Sequence, residues 1–492
     1  MHRISKWLLA AVGTAMLAAA CGRADAPPDD DRLHLRVMTF NIEYGGTHVC
    51  FDNVIEAIRR AGADIVTVSE AQGSLPRIAS RLGWHYNARH YLVSRYPIVE
   101  PPDSDGLYVY VEVAPGRVVA VAHAHLPSDP YGPYLVRDGA SLEDVLQLER
   151  ELRVPKITPY LVALSPLVER GVPTFLAGDF NSPSHTDWTE RAVGTRPAIR
   201  YPVEWPVSVA VSAAGFRDSW RSVHPDPVAN PGLTWWAGRP PIGQDDPAAD
   251  DPEDRIDFVW YAGPAAALSS EIVGEEGGPE VTYAVTPWVS DHRAVVSEFS
   301  VSPAAMPALV GTERRVYRTG DDVVAVYVRA AGRLAVVDAR EPAHTVFERA
   351  VEGRGRVVIP ARLLSAGHFE VRVRTGDGPA MRKEFWVLDR DAVPVIDVTE
   401  HSFAAGEPIR VRWRNAPGNR NDYLAVVDPD ESPGYDAYSS YAYVGALPEG
   451  ELTLDADSAE GGWPVAPGHY VVRLVRDDGY EVLAESAPFS VK

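Results

Sequence analysis

The sequence predicts a mixed α/β domain followed by two all-β modules, and three observations carry that expectation. From Leu33 to about Val301, apolar runs that read as strands alternate with helical stretches. Beyond residue 303 the texture changes to short strands separated by Gly, Pro and Asp, with no convincing helix, as in β-sandwiches. Finally, the C-terminal portion repeats itself. RLAVVDARE at 333–341 returns as YLAVVDPDE at 423–431, SAGHFEVRVR at 365–374 as APGHYVVRLV at 466–475, and RTGDDVVAVYV (318–328) more loosely as AAGEPIRVRW (404–413). A period of about 90–100 residues fits one domain duplicated, not a solenoid.

The chain opens with His2, Arg3 and Lys6 and then an apolar stretch from Trp7 to Ala20, so residues 1–20 read as an export signal. That stretch falls short of the ~20 apolar residues needed to span a bilayer. Two processing routes stay open. Ala18 and Ala20 fit ordinary cleavage, giving a soluble secreted or periplasmic protein. LAAAC resembles a bacterial lipobox, giving a lipoprotein anchored to the membrane through Cys21. Residues 21–32 then form a polar tether. If Cys21 is lipidated or removed, Cys50 has no partner for an intramolecular disulfide, and it reads as a small buried hydrophobe.

The α/β domain is expected over 33–303. LHLRVMTF (33–40) is a strand delivering Asn41; Asp52 to Ala61 is a helix; Asp64 to Ser69 is a buried strand ending at Glu70. Ser74 to Leu82 is helical, and GRVVAVAHAHL (116–126) alternates as a strand. Ser141 starts a helix through EDVLQLEREL. Residues 156–170 form another helix, interrupted by Pro159 and Pro166. Val172 to Ala177 presents Gly178 to Asn181, and Arg255 to Tyr261 and Arg293 to Val301 close the domain. The β modules are expected over 304–393 and 394–492. The second carries tyrosines at 435, 438, 441 and 443 with Trp463, read as core plus an aromatic surface loop.

The formal net charge is -21. Residues 304–492 hold 22 basic and 29 acidic residues, or -7, leaving -14 for residues 1–303, where the chemistry lies. Gripping a nucleic-acid duplex requires neutralising many phosphates with Lys and Arg. Duplex DNA is therefore a disfavoured partner.

GDFN (178–181), RIDF (255–258) and SDH (290–292) each set a carboxylate beside a second polar group where a strand stops. With Asn41, Glu70 and His125 they supply oxygen ligands, amides and imidazoles, the set suited to a hard divalent cation and a phosphate. Glu70 follows a fully apolar strand, where an unpaired carboxylate is costly. Asp179 and Asn181 point the same way if strand geometry persists. A histidine near neutral pH can carry a proton to phosphate. Asp257 can orient His292 or pair with Arg255. His123, on the face of His125, reads as a hydrogen-bonded structural histidine. The aspartates at 245, 246, 250, 251 and 254 read as a solvated loop.

MTFNI, SEAQ, HAHL, GDFNSPSH, DRIDF and SDH, in that order over residues 35–300, resemble the endonuclease/exonuclease/phosphatase superfamily. The resemblance implies a four-layer α/β/β/α sandwich, to which the sequence adds two immunoglobulin-like β-sandwich modules. It implies metal ligation by Glu70, Asn41 and Asp291, with Glu43 as a second acidic ligand or an exposed turn residue. It implies catalysis by His125, Asp179, Asn181, Asp257 and His292, and phosphate binding by Asn41, Asn181 and His125. Mg²⁺ is the expected cofactor, with Mn²⁺ or Ca²⁺ as substitutes. The segment 127–139 should overhang the site, making Tyr131, Tyr134 and Arg137 candidate substrate contacts. The expected activity is phosphoesterase action on a lipid head group, sugar phosphate or nucleotide by a monomer. An extracellular nuclease and a non-catalytic surface binding protein are the alternatives.

Overall fold

The computed structural model describes residues 32–104, 106–243, 251–373, 380–434 and 437–492. The export signal, Cys21 and most of the tether lie outside these residues, as do Asp245, Asp246, Asp250 and Tyr435.

Two sheets stack face to face. In the first, the Leu33–Asn41 strand runs parallel to Ile65–Ser69 on one side and antiparallel to Ala294–Val301 on the other. In the second, Arg117–His125 is parallel to Thr174–Asp179, which is antiparallel to Asp257–Ala262. The inner faces meet through Leu35, Val37, Phe175, Ala177, Val259 and Phe299, each almost wholly buried. At about 25 cal/mol per Å² of buried apolar surface, such side chains supply the main favourable term holding the sheets together.

Helices cover both outer faces. Phe51–Arg60 and Leu75–Leu82 lay Val54, Ile55, Ile58 and Ile78 onto the first sheet. Val154–Glu169 lays Ile157, Tyr160, Leu164 and Leu167 onto the second. The layers are therefore helix, sheet, sheet, helix, the α/β architecture expected. One expectation needs correcting. Pro159 and Pro166 do not interrupt the last of these helices, which runs over Val154–Glu169 with both prolines exposed and the four apolar residues on one buried stripe that holds it to the sheet.

The order of strands explains the motif positions. Parallel neighbours end at the same edge, so Asn41 pairs with Ser69 in register and His125 with Asp179, while antiparallel Asp257 begins opposite Asp179. Gly178 makes this possible. It has φ 153°, and a Cβ there would lie 1.8 Å from the Ala124 carbonyl oxygen. The two strands approach too closely for any side chain.

The C-terminal residues are strand-rich. Residues 309–388 form one six-stranded sheet, because the 16-residue strand Val323–Asp338 bulges between Val328 and Ala330 and serves both ends. Residues 395–491 form a three-stranded and a seven-stranded sheet around Val411, Trp413, Leu424 and Val472. The repeated segments occupy matching places. Val336 pairs with Val371 in one module and Val426 with Val472 in the other, both antiparallel.

Candidate active site

The edge where these strands end brings six separated segments together. Asn41 Nδ2 donates to Glu70 Oε1 at 2.9 Å and to Asp179 Oδ2 at 3.1 Å. The same Asp179 oxygen lies 3.6 Å from His125 Nε2 and 3.7 Å from His292 Nε2. His292 Nδ1 is 2.9 Å from Asp257 Oδ2. Asp179, Asp257 and His292 offer ligand atoms all within 4.8 Å of one another, and all three are buried.

The electrostatics follow from that crowding. Burial alone would discharge the His292 ring. The carboxylates of Asp257, Asp179 and Asp291 outweigh it and hold the imidazole well above its ordinary range. Asp291 is lifted to about 7, first by burial and then by Glu43 and Glu70, against the pull of His292. Like charges collected at one edge raise one another in this way, and a bound cation relieves it. Asp257 Oδ1 is buried without a partner, a further acceptor in a cluster rich in hard oxygen donors. The donor set thus fits a divalent cation.

The backbone is strained here. Glu43, Tyr44, Glu70 and Asn181 all have positive φ, between 46° and 53°. Conformations that cost of order 1–3 kcal/mol each persist only where the surroundings over-determine them. Strand geometry therefore does not continue through Asn181, correcting the expectation that it simply shares the face of Asp179. Its amide turns back instead, donating to the Leu126 carbonyl at 3.0 Å and lying 3.4 Å from Asp179 Oδ2.

Several expected residues fall elsewhere. Tyr131 is 5% exposed, its hydroxyl donating to Asp254 at 3.0 Å, so it braces the site from beneath and does not present itself to substrate. Asp254 in turn is no part of a solvated loop. It is 1% exposed and also accepts from Trp188 Nε1 and Arg196. Arg137 is engaged with Asp138 and Asp251, which ties it down instead of leaving it to reach for phosphate. Segment 132–137 is a short helix packed against this network. Glu43 is ion-paired with Arg239 and accepts from the Ile242 amide at 2.7 Å, so both its oxygens are already engaged. Arg255 pairs with Asp187 and Asp218, leaving Asp257 to His292. His123 is structural as expected: Nε2 meets Ser69 Oγ at 2.9 Å, and burial keeps the ring neutral.

Sequence reading missed the residues that steady the ring of ligands. Trp235 Nε1 donates to Asp291 Oδ2 at 3.2 Å. Ser290 Oγ donates to the Asn41 carbonyl at 2.7 Å and accepts the His292 amide at 3.0 Å. The Tyr44 amide donates to Glu70 Oε2 at 3.3 Å, and Thr234 Oγ1 accepts the Asp257 amide at 3.2 Å. Ser290, inside the SDH string, was the one that could have been found.

Residues 38–292 match the sequence model of the Endonuclease/Exonuclease/phosphatase family. An uncharacterized protein of Caenorhabditis elegans is 27% identical over 293 residues, covering 54% of this chain and 91% of that protein. Among solved structures, an endonuclease/exonuclease/phosphatase family protein from Bacteroides thetaiotaomicron is similar at 13% identity and TM-score 0.30, over 55% of this chain and 96% of that one. The inositol polyphosphate 5-phosphatase domain of spsynaptojanin, bound to inositol (1,4)-bisphosphate and calcium, is similar at 11% identity and TM-score 0.29, over 55% and 85%.

Proposed function

The chain belongs to the Endonuclease/Exonuclease/phosphatase family, and from that premise we propose that it is an exported, divalent-metal-dependent phosphoesterase acting on compact phosphate esters. The observation that carries the reading is the Asp179 carboxylate, which meets two amides and two imidazoles, three of the four delivered from distant parts of the chain. No structural purpose requires two histidines and two asparagines on one buried carboxylate.

Glu70, Asn41 and Asp291 would hold the cation, with Mg²⁺ the natural choice and Mn²⁺ or Ca²⁺ as substitutes. When bound, it would polarise a phosphoryl oxygen and acidify water. The chain's own groups do the rest. Asp179 accepts the proton of the attacking water, and the Asn41 amide keeps that carboxylate aimed. The charged His292 donates to the non-bridging oxygens as negative charge grows, while Asn181, anchored on the Leu126 carbonyl, helps hold the Asp179 carboxylate. Asp257 accepts from Nδ1–H of the charged His292 and orients the ring so that Nε2–H faces phosphate, as a carboxylate does for other catalytic imidazoles. His125, 17% exposed at the rim, delivers a proton to the leaving alcohol. No covalent intermediate is needed.

The acidity of residues 1–303 supports a lipid head group, sugar phosphate or nucleotide over duplex DNA. The N-terminal pattern supports export, with lipidation at Cys21 or secretion, and the chain acts as a monomer. The test is turnover of bis-p-nitrophenyl phosphate and p-nitrophenyl phosphate with Mg²⁺, and its loss in EDTA. Inactivity of pure, folded protein on both esters with every metal tried would sink the proposal, and plasmid cleavage at low salt would favour the nuclease alternative.

A further inference from the structure

The second β module reaches the catalytic cleft. Its turn Arg476–Glu481 lies over the segment that carries Glu70. The Gly73 amide donates to Asp477 Oδ2 at 3.3 Å, and Tyr91 donates its hydroxyl to the other oxygen of the same carboxylate. Arg476 lies where a Cβ on Gly73 would meet it at 3.1 Å, and Gln72 packs against Gly479. The Tyr480 ring stands 6.1 Å from that of Tyr44, whose amide holds Glu70.

The turn is built to stay there. Asp477 and Asp478 both have positive φ, 52° and 56°, a pair of left-handed residues in succession. The face of the seven-stranded sheet behind them is aromatic, with Tyr423, Tyr438, Tyr441 and Tyr443 in mutual contact. Tyr423 donates to the Gly479 carbonyl at 2.9 Å, Tyr443 donates to Asp478 at 2.8 Å, and Asn421 donates to the same carboxylate. Tyr438, Tyr441 and Tyr443, read from sequence as core plus a surface loop, belong to the platform that holds this turn against the cleft. Burial lifts the Asp478 carboxyl above its ordinary value, opposed by His125, Tyr443 and Asn421, and Glu70 lifts it further. Asp478 therefore interacts electrostatically with a proton donor and a metal ligand of the proposed site.

We propose that the Arg476–Glu481 turn is a specificity element of the cleft, in which the Asp478 carboxylate and the Tyr480 ring admit compact, low-charge phosphate esters and repel polyanionic chains. This rests on the phosphoesterase reading above. A small ester brings one phosphate, whose charge the cation and imidazoles meet. A nucleic-acid strand brings its neighbouring phosphates too, within the ~10 Å over which a fixed charge is felt at low salt.

The test uses the full-length chain and three variants: Asp478→Asn, Tyr480→Lys, and Glu352→Gln as a charge-matched control. Glu352 is exposed on the hairpin whose Arg354 lies against Gly116, beside the start of the strand that ends at His125. At pH 8 with Mg²⁺, kcat/KM is measured for a labelled thymidine oligonucleotide and for bis-p-nitrophenyl phosphate. Fluorescence anisotropy in EDTA measures binding of the same oligonucleotide without turnover. Asp478→Asn should raise the oligonucleotide-to-ester ratio and tighten binding about three- to tenfold, the effect of one charge about 4 Å from phosphate under full screening by water. Tyr480→Lys should raise both further, and both gains should shrink as salt is increased tenfold. Ratios and affinities within twofold of wild type, or equal gains in Glu352→Gln, would overturn the proposal. If wild type hydrolyses neither substrate, the phosphoesterase reading fails, and anisotropy alone decides the role of the turn.

Discussion

Replacing Asp257 by Asn tests the electrostatic core of the site. Asp257 is fully buried, and its Oδ2 lies 2.9 Å from Nδ1 of an imidazole that is 4% exposed. Breaking a buried ion pair by removing one charge costs about 3–5 kcal/mol. Asn can still accept the Nδ1 hydrogen bond, so about 3 kcal/mol, the lower end, is expected. At roughly 2–4 °C per kcal/mol for a domain of this size, unfolding should come about 6–12 °C earlier. The loss must depend on pH in a definite sense. The folded pKa of His292 is raised well above its unfolded value. Its stabilisation is therefore fully present below about pH 6.5 and is lost as pH climbs through the folded value. Calorimetry of the metal-free proteins in EDTA should show the gap between wild type and variant widest near pH 6 and narrowing as the solution becomes alkaline. Turnover of bis-p-nitrophenyl phosphate with Mg²⁺ should fall about 10²- to 10⁴-fold, the usual share of a positioned acid–base group. A gap independent of pH, or one that widens with alkalinity, would refute the charged pair.

Three further outcomes are expected. Glu70→Gln should weaken Mg²⁺ binding, read by titration calorimetry, at least tenfold while leaving the circular dichroism spectrum intact. Ser69→Ala should leave His123 buried without its partner and lower the unfolding free energy by about 1–3 kcal/mol in denaturant, with no change in KM for the nitrophenyl ester. Gly178→Ala places a methyl 1.8 Å from the Ala124 carbonyl, so soluble expression or melting temperature should drop more than for any surface substitution, since the displaced atom is backbone.

The α/β domain was legible because its signals are local. The strands that end at Asn41, Glu70, His125 and Asp179 are apolar runs, and a polar residue at the end of such a run stands out. Asp257 was harder, since RIDF offers Arg255 two residues away, and only the fold shows that Asp187 and Asp218 take that guanidinium. Tyr131 and Asp254 misled for a similar reason. A Pro-rich segment looks ready to overhang a site and an acid-rich one looks solvated when each is read alone, and burying them required a partnership across 123 positions of chain. Asn181 shows the limit of periodicity, because one positive φ cancels an inference about which side chains share a face. Nothing local could have shown that Asp477 meets Tyr91, 386 positions away.

That last contact has a bearing on the order of synthesis. A ribosome completes every acid and imidazole of the cleft long before it reaches the turn that leans over them. A nascent or prematurely stopped chain would thus own the whole hydrolytic apparatus with one flank still open. Discrimination waits on residues 476–481.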